Sequence, residues 1–231
     1  MTYYTLVTAL PHLPPLPQCK ELPISRIALD RRLSMLSDAD RQQLQQAERL
    51  YHQGDVSLQS LPDQTLVRDW QQQLQQLESP LIRERIQLKL EWQTLLAALR
   101  YRQQGRIGPE HFSGFGRWTG QIRRHWHEPL FGLDTALPFL AELQPLLLKG
   151  HSGELEQQLN AWLWKDLLFI ERSVQFTLDT VICFVLRWGL TEKHLKSDAV
   201  QALEAFQHLT SQLLNTPAIT QHIESAFEDL S

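Results

Sequence analysis

The chain is 231 residues long, with 42% hydrophobic and 21% charged residues and a formal net charge of -4. That balance describes a globular protein with a sizeable buried core and excludes a disordered tail or a basic nucleic-acid coat. Its two cysteines, Cys19 and Cys183, stand far apart with no CxxC spacing, so neither a disulfide framework nor a zinc knuckle is indicated and a reducing cytoplasm fits.

Leucine is the informative count: 43 leucines stand against 17 valines plus isoleucines, beside 26 glutamines. Helix is favoured over strand, and the expected fold is an all-α multi-helix bundle. In chain order, Tyr3, Tyr4, Leu6, Val7 and Leu10 predict a short helical turn docked on the core. This opening lacks the basic start and unbroken apolar run of an export leader. Pro11, Pro14, Pro15, Pro17 and Pro23 then force an extended, Pro-rich N-terminal strap pinned by Leu13, Leu16 and Leu22, because proline lacks an amide donor and holds its predecessor extended.

Helical spacing begins at Ser25. A capping signal at Ser37 to Asp40 precedes a helix expected to stop at Gly54, and Pro62 opens another through Trp70 and Leu77. Ser79-Pro80 is an N-cap and first-turn pair for a long helix ending before Gly105. The glycines between 105 and 120 mark the main interruption, dividing a single helical domain into lobes 1-107 and 120-231. Beyond it, a helix is expected over Thr135 to Lys149. Another, capped by Ser152, should run from Gly153 to about Trp188 and stop at Gly189, with a restart at Thr191 or Ser197 into Leu214 and a last short helix opened by Thr216-Pro217. The most apolar stretch, Ala161 to Leu190, carries Lys165, Asp166, Glu171, Arg172, Asp179 and Arg187, and so reads as a buried helix rather than a bilayer span.

The chemical motifs are weak. In His125-Trp126-His127-Glu128 the two imidazoles lie two residues apart and diverge on a helix, and no HExxH accompanies them, so no metal is expected. Gly114-Phe115-Gly116-Arg117-Trp118-Thr119-Gly120 has the spacing GxGxxxG without a preceding strand or a GKS sequence, so close packing is favoured over a nucleotide site and no cofactor is expected. Glu171, Gln175, Asp179 and Arg187 fall at helical spacing on one face, where a neighbouring helix would satisfy them. With no nucleophile or lone base nearby, no catalysis is expected.

The candidate partner-binding residues are Arg117, Trp118, Arg123, Arg124 and Trp126. They lie in a stretch that adds Arg100, Arg102 and Arg106, with Phe112 and Phe115 interleaved. Arginine and tryptophan are the residues of protein-interface hot spots. The same composition grips phosphates in single-strand binders, but a protein or membrane-surface contact is preferred over nucleic acid, with a merely solvated face the plain alternative to both. Charge is polarised: residues 1 to 127 hold 16 basic and 12 acidic groups, and 128 to 231 hold 6 and 14.

Three segments carry a resemblance. Tyr3-Tyr4-Thr5-Leu6-Val7-Thr8-Ala9-Leu10-Pro11-His12-Leu13 resembles the opening of a bacterial family whose genes accompany those of V/A-type ATPases. That family is itself similar to the C-type component of the ATPase central stalk, the d-type component of eukaryotic V-ATPases. Phe176 to Trp188 is similar to that family's late helix, and Pro80 to Arg102 to an earlier one with terminal arginines. The resemblance implies an all-helical, funnel-shaped, non-catalytic subunit on the inner face of the membrane. Its partners would be the shaft subunit and the membrane rotor ring, with only peripheral, indirect membrane contact. The chain is shorter than the three-lobed stalk components and shows no threefold repeat. A free-standing helical adaptor is the other reading.

Overall fold

The computed structural model describes residues 3-56, 64-105, 108-149 and 152-214. The described residues are mostly helical, and among them there is no strand. The fold is an all-α bundle of α1 (Tyr4–Ala9), α2 (Arg26–Leu33), α3 (Asp38–Val56), α4 (Gln64–Gln75), α5 (Pro80–Gln103), α6 (Thr119–Arg124), α7 (Phe139–Leu148), α8 (Ser152–Ser173) and α9 (Leu178–Leu214). No helix among the described residues is long and apolar enough to cross a membrane. The chain divides into two compact units, Met1–Thr191 and Glu192–Ser231. The glycine-rich stretch at 105-120 lies inside the first. The described part of the second is the remainder of α9, where Lys196 pairs with Glu192 one turn earlier at 3.1 Å.

Within the first unit, α5 and the beginning of α9 form the centre. Every residue from Lys89 to Leu99 is buried, as is every residue from Thr180 to Thr191. A helix covered on all sides needs no amphipathic stripe, and the polar residues within these stretches, Lys89, Glu91, Gln93, Thr94 and Arg187 among them, are buried with the apolar ones. One cap joins the two. Ser79 Oγ accepts from the Ile82 amide at 3.2 Å to start α5, and its hydroxyl donates to Asp179 Oδ2 at 2.9 Å in the first turn of α9.

The strap is anchored as expected. Leu6, Leu13, Leu16 and Ile24 are buried, a 3-10 turn forms at Leu16–Gln18, and Arg32 Nη1 donates to the Ala9 carbonyl. Ser25 caps α2 by accepting from the Ala28 amide at 3.3 Å.

Several expected boundaries move. Helix α3 continues through Gly54 to Val56, and α7 starts at Phe139 rather than Thr135, just after Pro138. The single helix expected from Gly153 to Trp188 is two. It breaks at 174-177, where Phe176 has φ 55°. Thr177 and Thr180 close the new N-terminus reciprocally: Thr177 Oγ1 accepts from the Thr180 amide at 3.4 Å, and Thr180 Oγ1 from the Thr177 amide at 3.3 Å. This is a capping box with threonine in place of the usual glutamate.

Gly189 stops nothing and lies inside α9. A Cβ there would meet the His52 ring at 2.8 Å, so the glycine admits a side chain of α3 against α9. With the helix continuous, the restart at Thr191 or Ser197 disappears. Pro62 and Thr216-Pro217 lie outside the described residues.

Candidate functional site

The basic-aromatic stretch begins at the C-terminal end of α5 and returns along it. Phe112 and Phe115 are buried; Phe115 meets Trp70 of α4 edge-on at 5.7 Å. Gly116 has φ 89°, and a Cβ there would stand 2.1 Å from Glu91 Cγ, so the loop closes on α5 only because glycine both reaches this conformation and has no side chain.

Glu91, 2% exposed at the middle of α5, turns its carboxylate into this loop. Oε1 accepts from the Arg117 amide at 3.1 Å and from Gln87 Nε2 at 3.0 Å, and Oε2 pairs with Arg117 Nε at 3.2 Å. The chain therefore supplies its own anion to the glycine loop. That accounts physically for a GxGxxxG segment that packs against a helix, since backbone amides in such a loop need an acceptor.

The five candidate residues separate by burial. Arg123 and Arg124 are exposed on α6, and Arg124 Nε donates to the Gly120 carbonyl at 3.3 Å. Arg117 is also exposed, stacked over Trp118 at 4.9 Å and held from beneath by Glu91. Trp118 is partly buried and packs on the core. Trp126 is 3% exposed, between Phe112 at 5.5 Å and Phe131 at 5.6 Å, and serves the core rather than a surface.

Arg102, in the same basic run, is committed inward as well. Its Nη1 donates to the Trp126 carbonyl at 3.1 Å and to the Glu128 carbonyl, and its guanidinium lies over the Phe131 ring at 4.6 Å. Burial pulls its pKa below the ordinary arginine value. These contacts clamp a left-handed turn, Leu130 (φ 52°), Phe131 (φ 56°) and Gly132 (φ 63°). Non-glycine residues hold that conformation at a cost of about 1–2 kcal/mol each, offset here by full burial of both side chains. Arg106 lies outside the described residues.

His125 Nδ1 and Glu128 Oε1 are 2.8 Å apart, whereas His127 is exposed. Among the described residues no group of three His, Cys, Asp or Glu side chains gathers to hold a metal ion.

The polar residues of the long apolar stretch meet across two helices rather than along one face. Arg187 of α9, 3% exposed, donates from Nε and Nη2 to the two oxygens of Glu171 on α8, both at 2.9 Å, and lies over the Trp164 ring at 4.7 Å. Trp164 Nε1 donates to Thr191 Oγ1 at 3.2 Å. These pairs nest around the break, as in an antiparallel helical hairpin. Burial pushes the Glu171 carboxyl up in pKa while Arg187 pulls it down, and burial lowers Arg187. The strap closes over this hairpin and leaves a cleft of about 360 Å³ lined by Val7, Leu10, His12, Trp164, Phe184 and Arg187, among others. Sequence reasoning missed Glu91 as a loop anchor, Arg102 as a clamp and the Glu171–Arg187 pairing. Thr177-Leu178-Asp179-Thr180 was the signal for the last, because a capping pattern there splits the helix and folds Glu171 back onto Arg187.

Comparison of the chain with family models, with curated proteins and with solved structures finds no match.

Proposed function

We propose that this protein is a non-catalytic coupling subunit of a V/A-type rotary ATPase, similar in role to the C-type component of the central stalk, working on the inner face of the membrane by contact with the shaft subunit and the rotor ring. The observation that supports the reading is the meeting of the three segments that carry the resemblance. The strap lines one cleft with Thr180, Phe184 and Arg187 of the late helix, Tyr4 lies against Phe176 at 4.9 Å, and the cap of the third segment bonds Asp179. Residues that resemble a family only as separate strings here build one structural unit. A bundle with two central stretches buried on all sides, Lys89 to Leu99 and Thr180 to Thr191, also suits the stiffness that torque transmission requires.

Arg123 and Arg124, exposed on α6, with Arg117 held over Trp118, form the contact surface for an acidic partner. The test is binding of the purified protein to the shaft subunit and to the rotor ring. Wild type should bind at least one of them. Arg123→Ala plus Arg124→Ala should keep its thermal melt and lose about tenfold or more in affinity, the effect of removing interface arginines. Binding to neither partner overturns the assignment; undiminished binding by the folded variant removes this surface from it.

A further inference from the structure

The cleft between the strap and the hairpin of α8 and α9 contains a donor that the fold does not use. Arg187, 3% exposed, turns one edge of its guanidinium to Glu171 through Nε and Nη2. Its third nitrogen, Nη1, has no hydrogen-bond partner among the described residues, yet it is not one of the partnerless atoms sealed from solvent. Arg187 lines the cleft, so Nη1 faces the solvent there. The walls around it are mostly apolar: Val7, Leu10 and Leu13 from the strap side, Trp164 and Leu168 from α8, and Phe184 from α9. The strap that closes the cleft is held in place, since Leu6 and Leu16 are buried and Arg32 grips the Ala9 carbonyl. A preformed cleft of about 360 Å³ with apolar walls and a convergent polar group has the make-up of a small-molecule site.

We propose that this cleft binds a small carboxylic acid, its carboxylate taken by Arg187 Nη1 and Arg172 and its apolar body lying against the strap. Among the described residues Glu171 is the only carboxylate in the lining, and both of its oxygens already accept from Arg187. That pair is neutral and leaves a cationic ligand little to bind. Arg172, exposed at the rim, then puts one positive charge in excess, and His12 beside it adds another whenever it is protonated. One buried donor and one rim cation suit the two oxygens of a carboxylate. A phosphate, with three acceptor oxygens and up to two charges, calls for more donors than this lining has. The proposal does not depend on the rotary-ATPase reading and uses none of the residues assigned to that contact.

The probes are octanoate, octanol and octylammonium, which share one apolar chain and differ in the head group, each titrated into the full chain by calorimetry. Octanoate should bind at one site per chain with a dissociation constant of about 1 mM or lower. It should bind about tenfold or more tightly than octanol or octylammonium, because only its head group makes a charge-assisted hydrogen bond to arginine. Leu10→Trp fills the cleft from the strap and should abolish binding. Leu168→Trp fills it from α8 and replaces the first variant where that one lowers the thermal melt. Arg172→Gln, at an exposed position, should weaken octanoate by about threefold or more and leave octanol unchanged. Absence of saturable octanoate binding, equal affinity for the three probes, binding that survives a folded tryptophan variant, or indifference to Arg172→Gln each overturns the proposal. No component of the ATPase enters the experiment, so failure here is distinct from failure of the rotary reading.

Discussion

Replacing Arg187 by methionine probes the hairpin that closes the core. Arg187 is buried, holds both oxygens of Glu171 at 2.9 Å and lies over Trp164. Methionine fills much of the same space but leaves the Glu171 carboxylate, itself mostly buried, without its hydrogen-bonded cation, with only the more weakly acting Arg172 and His12 nearby. Breaking a buried pair by removing one partner costs about 3–5 kcal/mol. The Glu171 side chain keeps 19% exposure along the cleft, so the lower end, about 3 kcal/mol, is expected. With a urea slope of about 2–3 kcal/mol/M, the unfolding midpoint falls by about 1 M or slightly more. Replacing both residues, Glu171→Leu with Arg187→Met, removes the stranded charge and should recover most of that loss.

The pH dependence fixes the cause. Without Arg187 burial is the largest remaining influence on Glu171 and raises its folded-state pKa above the ordinary 4.5, opposed only by the weaker pull of Arg172 and His12. A carboxyl raised in this way contributes stability that is fully present below its unfolded value and is lost as pH rises through the folded value. The deficit of Arg187→Met relative to wild type should therefore be largest at neutral pH and shrink as the pH falls towards 4.5. A single variant within about 0.5 kcal/mol of wild type, a double variant that costs the sum of the singles, or a deficit that grows on acidification would refute the reasoning.

Two further outcomes follow from packing. Gly116→Ala puts a Cβ 2.1 Å from Glu91 Cγ at φ 89°, and should cost about 1–3 kcal/mol, read as a fall in thermal midpoint of several degrees; an unchanged midpoint refutes the close approach. Burial pushes the thiols of Cys19 and Cys183 above their ordinary pKa, so neither should react with a thiol-specific reagent at neutral pH until denaturant is added, and stoichiometric labelling of the native protein contradicts this.

Two helix starts were legible from their caps: Ser37 and Ser79 accept the Asp40 and Ile82 amides that their sequence positions promised. The cap at Thr177 was not. Helix ends were less legible, because glycine serves two purposes that a sequence does not separate. Gly105, at φ 62°, ends α5 as expected, but Gly189 is helical and exists for the approach of His52. The break at 174-177 contains neither glycine nor proline. It depends on a threonine pair whose hydroxyls meet only once the turn has formed. Trp126 illustrates the same limit at the candidate site: beside Arg123 and Arg124 it reads as an interface residue, and only the positions of Phe112 and Phe131 show that it belongs to the core.

The arginines bring out the distinction between composition and surface. Arg102, Arg187 and Arg85 are directed to a carbonyl or a buried carboxylate, and Arg117 is divided between Glu91 and solvent. Their charge is cancelled, or their donors are occupied, within the fold. Arg123 and Arg124 are exposed, but so are Lys20, Arg31, Arg49 and Arg68 in the same half of the chain, so exposed charge alone does not single out α6. Surface ion pairs are individually weak, worth about 0–1 kcal/mol, which is why the contact proposed at α6 calls for an aromatic side chain beside the charge. Trp118, under Arg117, supplies one. An aromatic side chain beside exposed cations, rather than net charge, is therefore what the proposed contact rests on.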